Sequence, residues 1–160
     1  RELLGDKLEI IVGIGPKSVV VTGVPAGAVL DWNHALPGTV AGGVATWDDC
    51  ALQVFATVVS RAGPERGILD SGSKTLTADS GGLDGYGLIL EHPEARIKGF
   101  AEEHGFLDLS KCNARPKVGD IVRVIPNHVC VVVNMVDQLI AVRNNEVVEV
   151  MPVAARGKLV

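Results

Sequence analysis

The segment VGDIVRVIPNHVCVVVNM, residues 118–135, gives the strongest indication of the fold. Val and Ile dominate both sides of Pro126 and Asn127, and such β-branched runs are typical of strands. The Lys-x-Gly-Asp sequence before Ile121 is typical of a turn. We therefore predict that the segment is part of an antiparallel β-structure.

The sequence on either side of this segment continues the β pattern. Downstream, QLIAVRNNEVVEVMPV predicts a hairpin that turns at Asn144-Asn145. Upstream, apolar runs predict strands at residues 8–12, 18–24, 28–34, 50–60, 68–70 and 85–91, with a helix as the alternative for the first half of 50–60. Residues 71–87 predict an irregular loop with a short helix at most, and AEEHG at 101–105 has helical composition. The predicted fold class is mainly β: an antiparallel barrel or sandwich with short helices.

Composition narrows the function classes. Of the 160 residues 47% are hydrophobic but 4% aromatic, so the core must consist of Val, Ile, Leu and Ala. The net charge of −4 without a basic patch argues against a nucleic-acid partner, and the absence of a long apolar run argues against a membrane partner. Three widely spaced cysteines predict a cytoplasmic location. Because the chain does not begin with Met, we expect a piece of a longer protein.

The sharpest candidate site is the pair His128 and Cys130. On a strand, residues i and i+2 project to the same side, so the predicted strand places an imidazole and a thiol together. Both groups suit Zn²⁺, and two protein ligands leave positions for water or substrate. The alternative is a packed cysteine beside a histidine bonded to backbone, and spacing alone favours that alternative.

Three other stretches hold polar groups that have simpler structural interpretations. Asp70, Ser73 and Lys74 could contact an anion or a cation, but an Asp-capped turn with a solvated lysine is preferred. EEHG, which includes His104, is best interpreted as a charged surface turn. TWDDCAL predicts a capped helix with Cys50 as a packed thiol.

A further glycine-containing stretch follows the first predicted strand. VGIGPKS, with Gly13, Gly15 and Ser18, is a weak candidate for a phosphate-binding loop, since it matches neither the P-loop nor the dinucleotide pattern.

Five phrases in this order carry a resemblance to a known family: ATWDDCALQVFATVVSR, ILDSGSKTLTAD, AEEHGFLDL, VGDIVRVIPNHVCVVVNM and VVEVMPVAARGK. Together they resemble the C-terminal half of the D-threonine aldolase and D-serine dehydratase-like enzymes. These are pyridoxal-phosphate (PLP) enzymes of fold type III, the alanine-racemase-like class. The resemblance covers Val24 to the C-terminus, and PNHVC is its most specific phrase.

The resemblance implies a two-part enzyme, of which this chain holds one part. An α/β barrel carries PLP on a lysine, and a β domain carries a divalent metal, Zn or Mn, on the residues that match His128 and Cys130. None of the 7 lysines sits in the expected barrel motif, so the barrel is expected elsewhere. We predict that residues 1–23 are the remnant of the barrel and that 24–160 are the D-serine dehydratase-like β domain.

The implied activity is that of a lyase acting on small 3-hydroxy-D-amino acids. D-threonine aldolase, which gives glycine and an aldehyde, is the leading expectation, with a homodimer and the barrel as partners. D-serine or 3-hydroxyaspartate dehydratase, which gives a 2-keto acid, is the alternative. A Cys ligand mildly favours the dehydratase, because thiolate suits Zn²⁺. A non-catalytic β domain that packs against a partner is the third hypothesis.

Overall fold

A computed structural model describes residues 8–14, 17–22, 47, 50, 52–143 and 146–158. The described residues contain ten strands and two short helices. In chain order they are β1 Leu8–Ile14, β2 Lys17–Thr22, β3 Leu52–Ser60, β4 Arg66–Leu69, α1 Ser73–Leu76, β5 Leu88–Ile89, β6 Arg96–Phe100, β7 Gly105–Asp108, β8 Ile121–Ile125, α2 Val129–Val133, β9 Gln138–Arg143 and β10 Glu146–Pro152. The predicted mainly β fold with short helices is confirmed.

The strands form one mixed but almost wholly antiparallel sheet. Its order is β10-β9-β1-β2-β3-β4-β7-β6, and β8 pairs with both β3 and β5 outside this path. Among the described strands, one pairing is parallel, and it joins Ile10 of β1 to Leu52 of β3. Because β3 also pairs with β2, β4 and β8, it is the centre of the sheet.

The core is built on one face of β3. Leu52, Val54 and Val58 are fully buried, whereas Val59 is 41% exposed, as the two-residue period of a strand requires. Valines and isoleucines of β8 and β6 pack into the same cluster, including Val124 and Ile97. Burying such a side chain contributes about 1.5–3 kcal/mol, so an aliphatic core suffices without many aromatic residues.

The segment after β8 departs from the prediction. Its valines predict a strand, but Val129–Val133 form the helix α2. Val132 is fully buried, and Val129 and Val133, three and one positions away, pack against the same core. Burial of one helical face therefore outweighs the β preference of valine, which is a weak local preference that packing often overrides.

The hairpin predictions largely hold. β9 and β10 pair from Arg143–Glu146 outward, as predicted, although Asn144-Asn145 lie outside the described residues. β4 pairs back onto β3, and residues 50–60 contain a strand with no helix within 52–60. In contrast, only Leu88–Ile89 of the strand predicted at 85–91 forms.

The helical composition of AEEHG is misleading. The Ala101 N–H donates to the His104 carbonyl at 2.8 Å and closes a turn between β6 and β7. The alternative interpretation as a charged surface turn is therefore confirmed, because Glu102, Glu103 and His104 are all exposed. A four-residue connection is too short for a helix once the flanking residues pair as strands.

The N-terminal predictions are covered in part. β1 and β2 form a hairpin and confirm two predicted strands, whereas the strand predicted at 28–34 lies outside the described residues. β1 also pairs with β9, so residues 8–22 share the sheet of the predicted β domain. The barrel origin of residues 1–23 stays a prediction. Within the described ranges, no helix has the length and apolar character to cross a membrane.

Candidate functional site

The PNHVC phrase lies where β8 ends. Pro126 has no N–H to donate, so the ladder stops after Ile125. Asn127 is 5% exposed, and its amide nitrogen donates to the Ser80 carbonyl at 2.7 Å and to the Gly85 carbonyl at 2.8 Å. One buried side chain thus fixes the loop between α1 and β5 against the end of β8.

The same loop returns to β5 through a tight glycine. Gly87 has φ +115°, which side chains other than glycine rarely adopt. A Cβ at this position would lie 2.7 Å from the Ile125 carbonyl oxygen and 2.9 Å from a Val124 methyl group. The close approach of the loop to β8 therefore depends on glycine at position 87.

The residue after Asn127 contacts a carboxylate of this loop. His128 Nδ1 lies 2.5 Å from Asp79 Oδ2, and Asp79 Oδ1 accepts from the Gly81 N–H at 2.9 Å. Both hydrogen bonds lower the pKa of Asp79, the one to His128 most. An ionised carboxylate only accepts, so Nδ1 is the protonated nitrogen and Nε2 of a neutral ring keeps its lone pair.

The predicted geometry of the His128 and Cys130 pair is wrong. The two residues do not alternate along one strand, because His128 has extended backbone (φ −137°, ψ 110°) and Cys130 lies in the first turn of α2. The cause is the same strand-to-helix change that buries Val132. The side chain of His128 is 21% exposed and Cys130 is exposed, so both remain accessible from solvent. Their role as ligands stays a prediction.

The donor chemistry of this corner fits a divalent metal. An imidazole whose Nδ1 is bound to a carboxylate offers Nε2, which is the usual arrangement of a metal-binding histidine. Cys130 adds a soft sulfur donor two positions later, and it suits zinc. Over the described residues, no cluster of three or more His, Cys, Asp or Glu side chains is placed to hold an ion.

The cluster of Asp70, Ser73 and Lys74 has structural contacts. Asp70 Oδ1 accepts from the Thr57 N–H at 2.7 Å and secures the β3–β4 pairing. Ser73 Oγ lies 3.4 Å from the Ala101 carbonyl oxygen. Lys74 forms a solvated ion pair with Glu103 at 3.1 Å. The solvated lysine is confirmed, but the predicted Asp-capped turn is wrong: Asp70 bonds to β3, and Gly72 at the start of α1 has no side-chain cap.

The structure also joins that cluster to EEHG, which sequence analysis treated separately. The start of α1 donates from Ser73 N to the Ala101 carbonyl and from Lys74 N to the Glu102 carbonyl, each at 3.0 Å. At Gly72 a Cβ would lie 2.4 Å from the backbone nitrogen of His104. The two stretches are therefore one packed unit that orients the loop leading to Asp79.

The candidate phosphate loop forms a different structure. The register pairs Gly13 of β1 with Ser18 of β2, so these residues belong to a hairpin with no helix start to cradle phosphate. Gly15 lies outside the described residues. Within the described residues, the Gly13–Ser18 pairing is not a helix-start phosphate site, and a phosphate role for the three residues stays a prediction. Cys50 is fully buried, as the packed-thiol interpretation requires.

Two surface cavities flank these features. One of about 230 Å³ is lined by Asn127, Gly87, Asp84 and Trp47, and it borders the loop that carries Asp79. A larger cavity of about 590 Å³ lies over β4 and β7 and includes Phe106. The smaller cavity is the better candidate for ligand access, because its lining includes Asn127, the residue directly before His128.

Two residues of the site were missed or undervalued by sequence reasoning. Asp79 is 49 positions from His128, and no local pattern links the two. Asn127 stands between two apolar runs in the sequence, but its two hydrogen bonds to the loop follow only from the fold. The available signal for Asp79 was its place in a Gly- and Ser-rich loop without regular structure.

Comparison with known proteins places this arrangement in a family. The family described as "Putative serine dehydratase domain" matches residues 51–142, which include Asp79, Asn127 and His128. The chain belongs to this family. The resemblance on which the sequence expectations rested is thereby confirmed.

Curated relatives include both short proteins and full enzymes. An uncharacterized protein of Mycobacterium tuberculosis (strain ATCC 25618 / H37Rv) is 43% identical over 115 residues, which cover 69% of this chain and 86% of that protein. The D-threonine aldolase of Arthrobacter sp. is 32% identical over 120 residues, covering 72% of this chain and 31% of the aldolase. The 3-hydroxy-D-aspartate aldolase of Paracoccus denitrificans (strain Pd 1222) is 33% identical over 70% of this chain and 27% of its own.

Solved structures agree. The D-threonine aldolase of Filomicrobium marinum superposes with a TM-score of 0.61 at 31% identity, covering 72% of this chain and 32% of that enzyme. The D-threo-3-hydroxyaspartate dehydratase of Delftia sp. HT23 gives a TM-score of 0.52 at 27% identity, covering 60% and 30%. The chain thus spans about a third of the enzymes it matches and most of the mycobacterial protein.

Proposed function

We propose that this chain is the metal-binding β domain of a PLP-dependent lyase that cleaves 3-hydroxy-D-amino acids, most like D-threonine aldolase. The observation that carries the proposal is the His128–Asp79 pair, which leaves Nε2 of His128 available to a metal in a chain whose relatives include aldolases. Cys130 supplies the second ligand. A domain of this family with a pre-oriented imidazole has the chemistry that such an enzyme requires.

Solved variants of the dehydratase support the two ligand positions. One carries a His-to-Ala change and another a Cys-to-Ala change two positions later, and the Cys variant is described as metal-free. His128 and Cys130 have the same residue types at the same spacing. These two dehydratase variants are each 25% identical to this chain, with TM-scores of 0.63 and 0.59.

The roles of the groups follow from their chemistry. When bound, PLP supplies an electron sink and the metal polarises the β-hydroxyl of the substrate. Within this chain, His128 and Cys130 hold the metal, and the Asn127 amide keeps the adjoining loop in place. PLP itself is assigned to the barrel, because Gly13 and Ser18 form a hairpin here.

The aldolase and the dehydratase differ in the bond that breaks. An aldolase cleaves Cα–Cβ and releases glycine, whereas a dehydratase removes the hydroxyl group and yields a 2-keto acid and ammonia. The names of the curated enzyme relatives favour the aldolase. Cys130 is the specific feature that favours the dehydratase as second candidate, because the cysteine replaced in the Cys-to-Ala dehydratase variant has the corresponding spacing from the histidine.

The deciding experiment is product analysis on the complete protein that contains this chain, with PLP and either Mn²⁺ or Zn²⁺. D-Threonine and D-3-hydroxyaspartate are the substrates, and L-threonine is the stereochemical control. We expect glycine from the D-substrates and almost none with His128→Ala. Formation of a 2-keto acid with equimolar ammonia would show that the activity is that of the dehydratase and not of the aldolase. Neither product, with metal and PLP bound, would refute lyase function.

The non-catalytic hypothesis also has support. The chain covers 86% of the mycobacterial protein, so a protein of about this length occurs in the family. A β domain of this kind could act by packing against a partner. Two results together would favour the non-catalytic hypothesis: the wild type contains no metal, and His128→Ala binds the partner as the wild type does.

The partners follow from the same proposal. We include the α/β barrel and a second copy of the complete protein, as a cytoplasmic homodimer. Sedimentation of the complete protein tests the dimer, and a monomeric enzyme with full activity would contradict it.

A further inference from the structure

Asp79 and His128 come together from distant parts of the chain. The 2.5 Å approach of Asp79 Oδ2 to His128 Nδ1 joins residues 49 positions apart. The second oxygen, Asp79 Oδ1, accepts from the Gly81 N–H at 2.9 Å, which fixes the plane of the carboxylate. A carboxylate held at both oxygens is more constrained than one in an ordinary surface ion pair.

The loop that carries Asp79 is anchored from the histidine's own strand end. Asn127, directly before His128, donates two hydrogen bonds to the carbonyls of Ser80 and Gly85, which follow Asp79 in the sequence. The loop therefore moves with the end of β8, and the distance between the carboxylate and the imidazole is set by the fold. Asn127 thus holds the loop, and the adjacent His128 forms a hydrogen bond with the Asp79 carboxylate of that loop.

The chemical consequence lies on the far side of the ring. Since the carboxylate accepts the Nδ1 hydrogen, the neutral ring is held in the Nδ1–H tautomer with the Nε2 lone pair facing away from Asp79. A free histidine in water would more often carry its hydrogen on the other nitrogen.

We propose that Asp79 is a positioning residue that holds His128 in the tautomer and orientation needed to bind the metal through Nε2. The inference rests on the proposed function, since it assigns a metal to His128. It adds a residue that acts through the ligand and does not itself touch the metal. Asn127 has a supporting role, because it fixes the loop from which Asp79 reaches the ring.

The first test needs no metal. Imidazole ¹⁵N chemical shifts of the metal-free, ¹⁵N-histidine-labelled protein report the tautomer at mildly alkaline pH, and a His128→Gln variant assigns the signal. We expect Nδ1–H for His128 in the wild type and a majority of Nε2–H in Asp79→Ala. His92 is an internal reference, because its Nδ1 lies 3.1 Å from the Ala114 carbonyl oxygen and should not respond. An Nε2–H tautomer in the wild type would overturn the inference.

The second test measures Zn²⁺ affinity by competition with a chromophoric chelator. Loss of such a supporting partner costs about 10- to 100-fold in metal affinity, so we expect that loss in Asp79→Ala. Asp79→Asn keeps an acceptor without the charge and should lose less. Asp84→Asn is the matched control, because this loop carboxylate is 98% exposed and lies 3.9 Å from Arg96. Affinity of Asp79→Ala within twofold of the wild type would refute the positioning role.

The two tests separate this inference from the proposed function. If the wild type binds neither Zn²⁺ nor Mn²⁺, the proposed function fails, whatever the tautomer of His128. If the wild type binds Zn²⁺ and His128→Gln abolishes it, but Asp79→Ala changes neither affinity nor tautomer, only the positioning role fails. Preserved chemical-shift dispersion in both Asp79 variants shows that the fold is intact.

Discussion

Replacing Asn127 by alanine should loosen the loop that forms one wall of the site. The substitution removes two hydrogen bonds, of 2.7 and 2.8 Å, from a side chain that is 5% exposed. A hydrogen bond contributes about 0.5–1.5 kcal/mol net, and an acceptor left buried costs more. Ser80 and Gly85 are only half-buried, so water can reach their carbonyls. We expect a loss of about 2 kcal/mol in the free energy of unfolding.

The assay is urea unfolding at 25 °C, followed by circular dichroism. With a typical denaturant slope of about 2 kcal/mol/M, the midpoint should fall by about 1 M at unchanged slope. Asn113→Ala is the control, because Asn113 is exposed and its side chain makes no hydrogen bond within the described part of the chain. That variant should stay within about 0.5 kcal/mol of the wild type.

A second variant makes the test stricter. Asn127→Asp has almost the same shape but places a carboxylate, which cannot donate, against two carbonyl oxygens. It should therefore be less stable than Asn127→Ala at neutral pH, since a buried charge without a partner costs more than a missing bond. If Asn127→Ala leaves the urea midpoint unchanged, or if Asn127→Asp is the more stable variant, the hydrogen-bonded anchor is not the stabilising feature.

Three further predictions concern strain, charge and thiols. Gly87→Ala should destabilise clearly more than Gly63→Ala, since both have positive φ but only position 87 lacks room for a Cβ, and equal urea midpoints would contradict this. The Lys98 ammonium lowers the pKa of Asp108, so the wild type should exceed Asp108→Asn in stability at neutral pH. That advantage should shrink as pH falls below the ordinary carboxyl pKa of about 3.9, and a pH-independent difference would refute it. Native protein should show one fast-reacting thiol, the exposed Cys130, and Zn²⁺ should protect it. The other two thiols should react slowly, because burial raises the pKa of the Cys112 thiol and Cys50 is fully buried. A fast-reacting thiol that persists in Cys130→Ser would contradict this.

Sequence predicted the strands whose pattern and pairing agree locally. The hairpin of β9 and β10 follows from two apolar runs around a turn, and the alternation of β3 follows from its burial on one face. These features need only neighbouring residues and the two-residue period of a strand. For β3, β9 and β10 the hydrophobic pattern of the sequence is therefore enough to predict the strands.

The errors arise where distant contacts decide the structure. Val129–Val133 form a helix because Val132 enters a core assembled from other strands, which no local preference reveals. The role of His128 and Cys130 as metal ligands stays a prediction from the sequence, and their geometry was assigned to the wrong element, because Cys130 lies in α2. Asp79 could not be predicted, because its contact with His128 exists only after the loop is anchored by Asn127.

The central claim is that His128 and Cys130 bind one metal ion. X-ray absorption at the zinc edge, on protein loaded with one equivalent of Zn²⁺, measures the ligand atoms directly. We expect one sulfur at about 2.3 Å from the zinc ion, with nitrogen or oxygen at about 2.0–2.1 Å, and loss of the sulfur signal in Cys130→Ser. A zinc ion without sulfur in the wild type, or an unchanged spectrum in both Cys130→Ser and His128→Ala, would contradict the account.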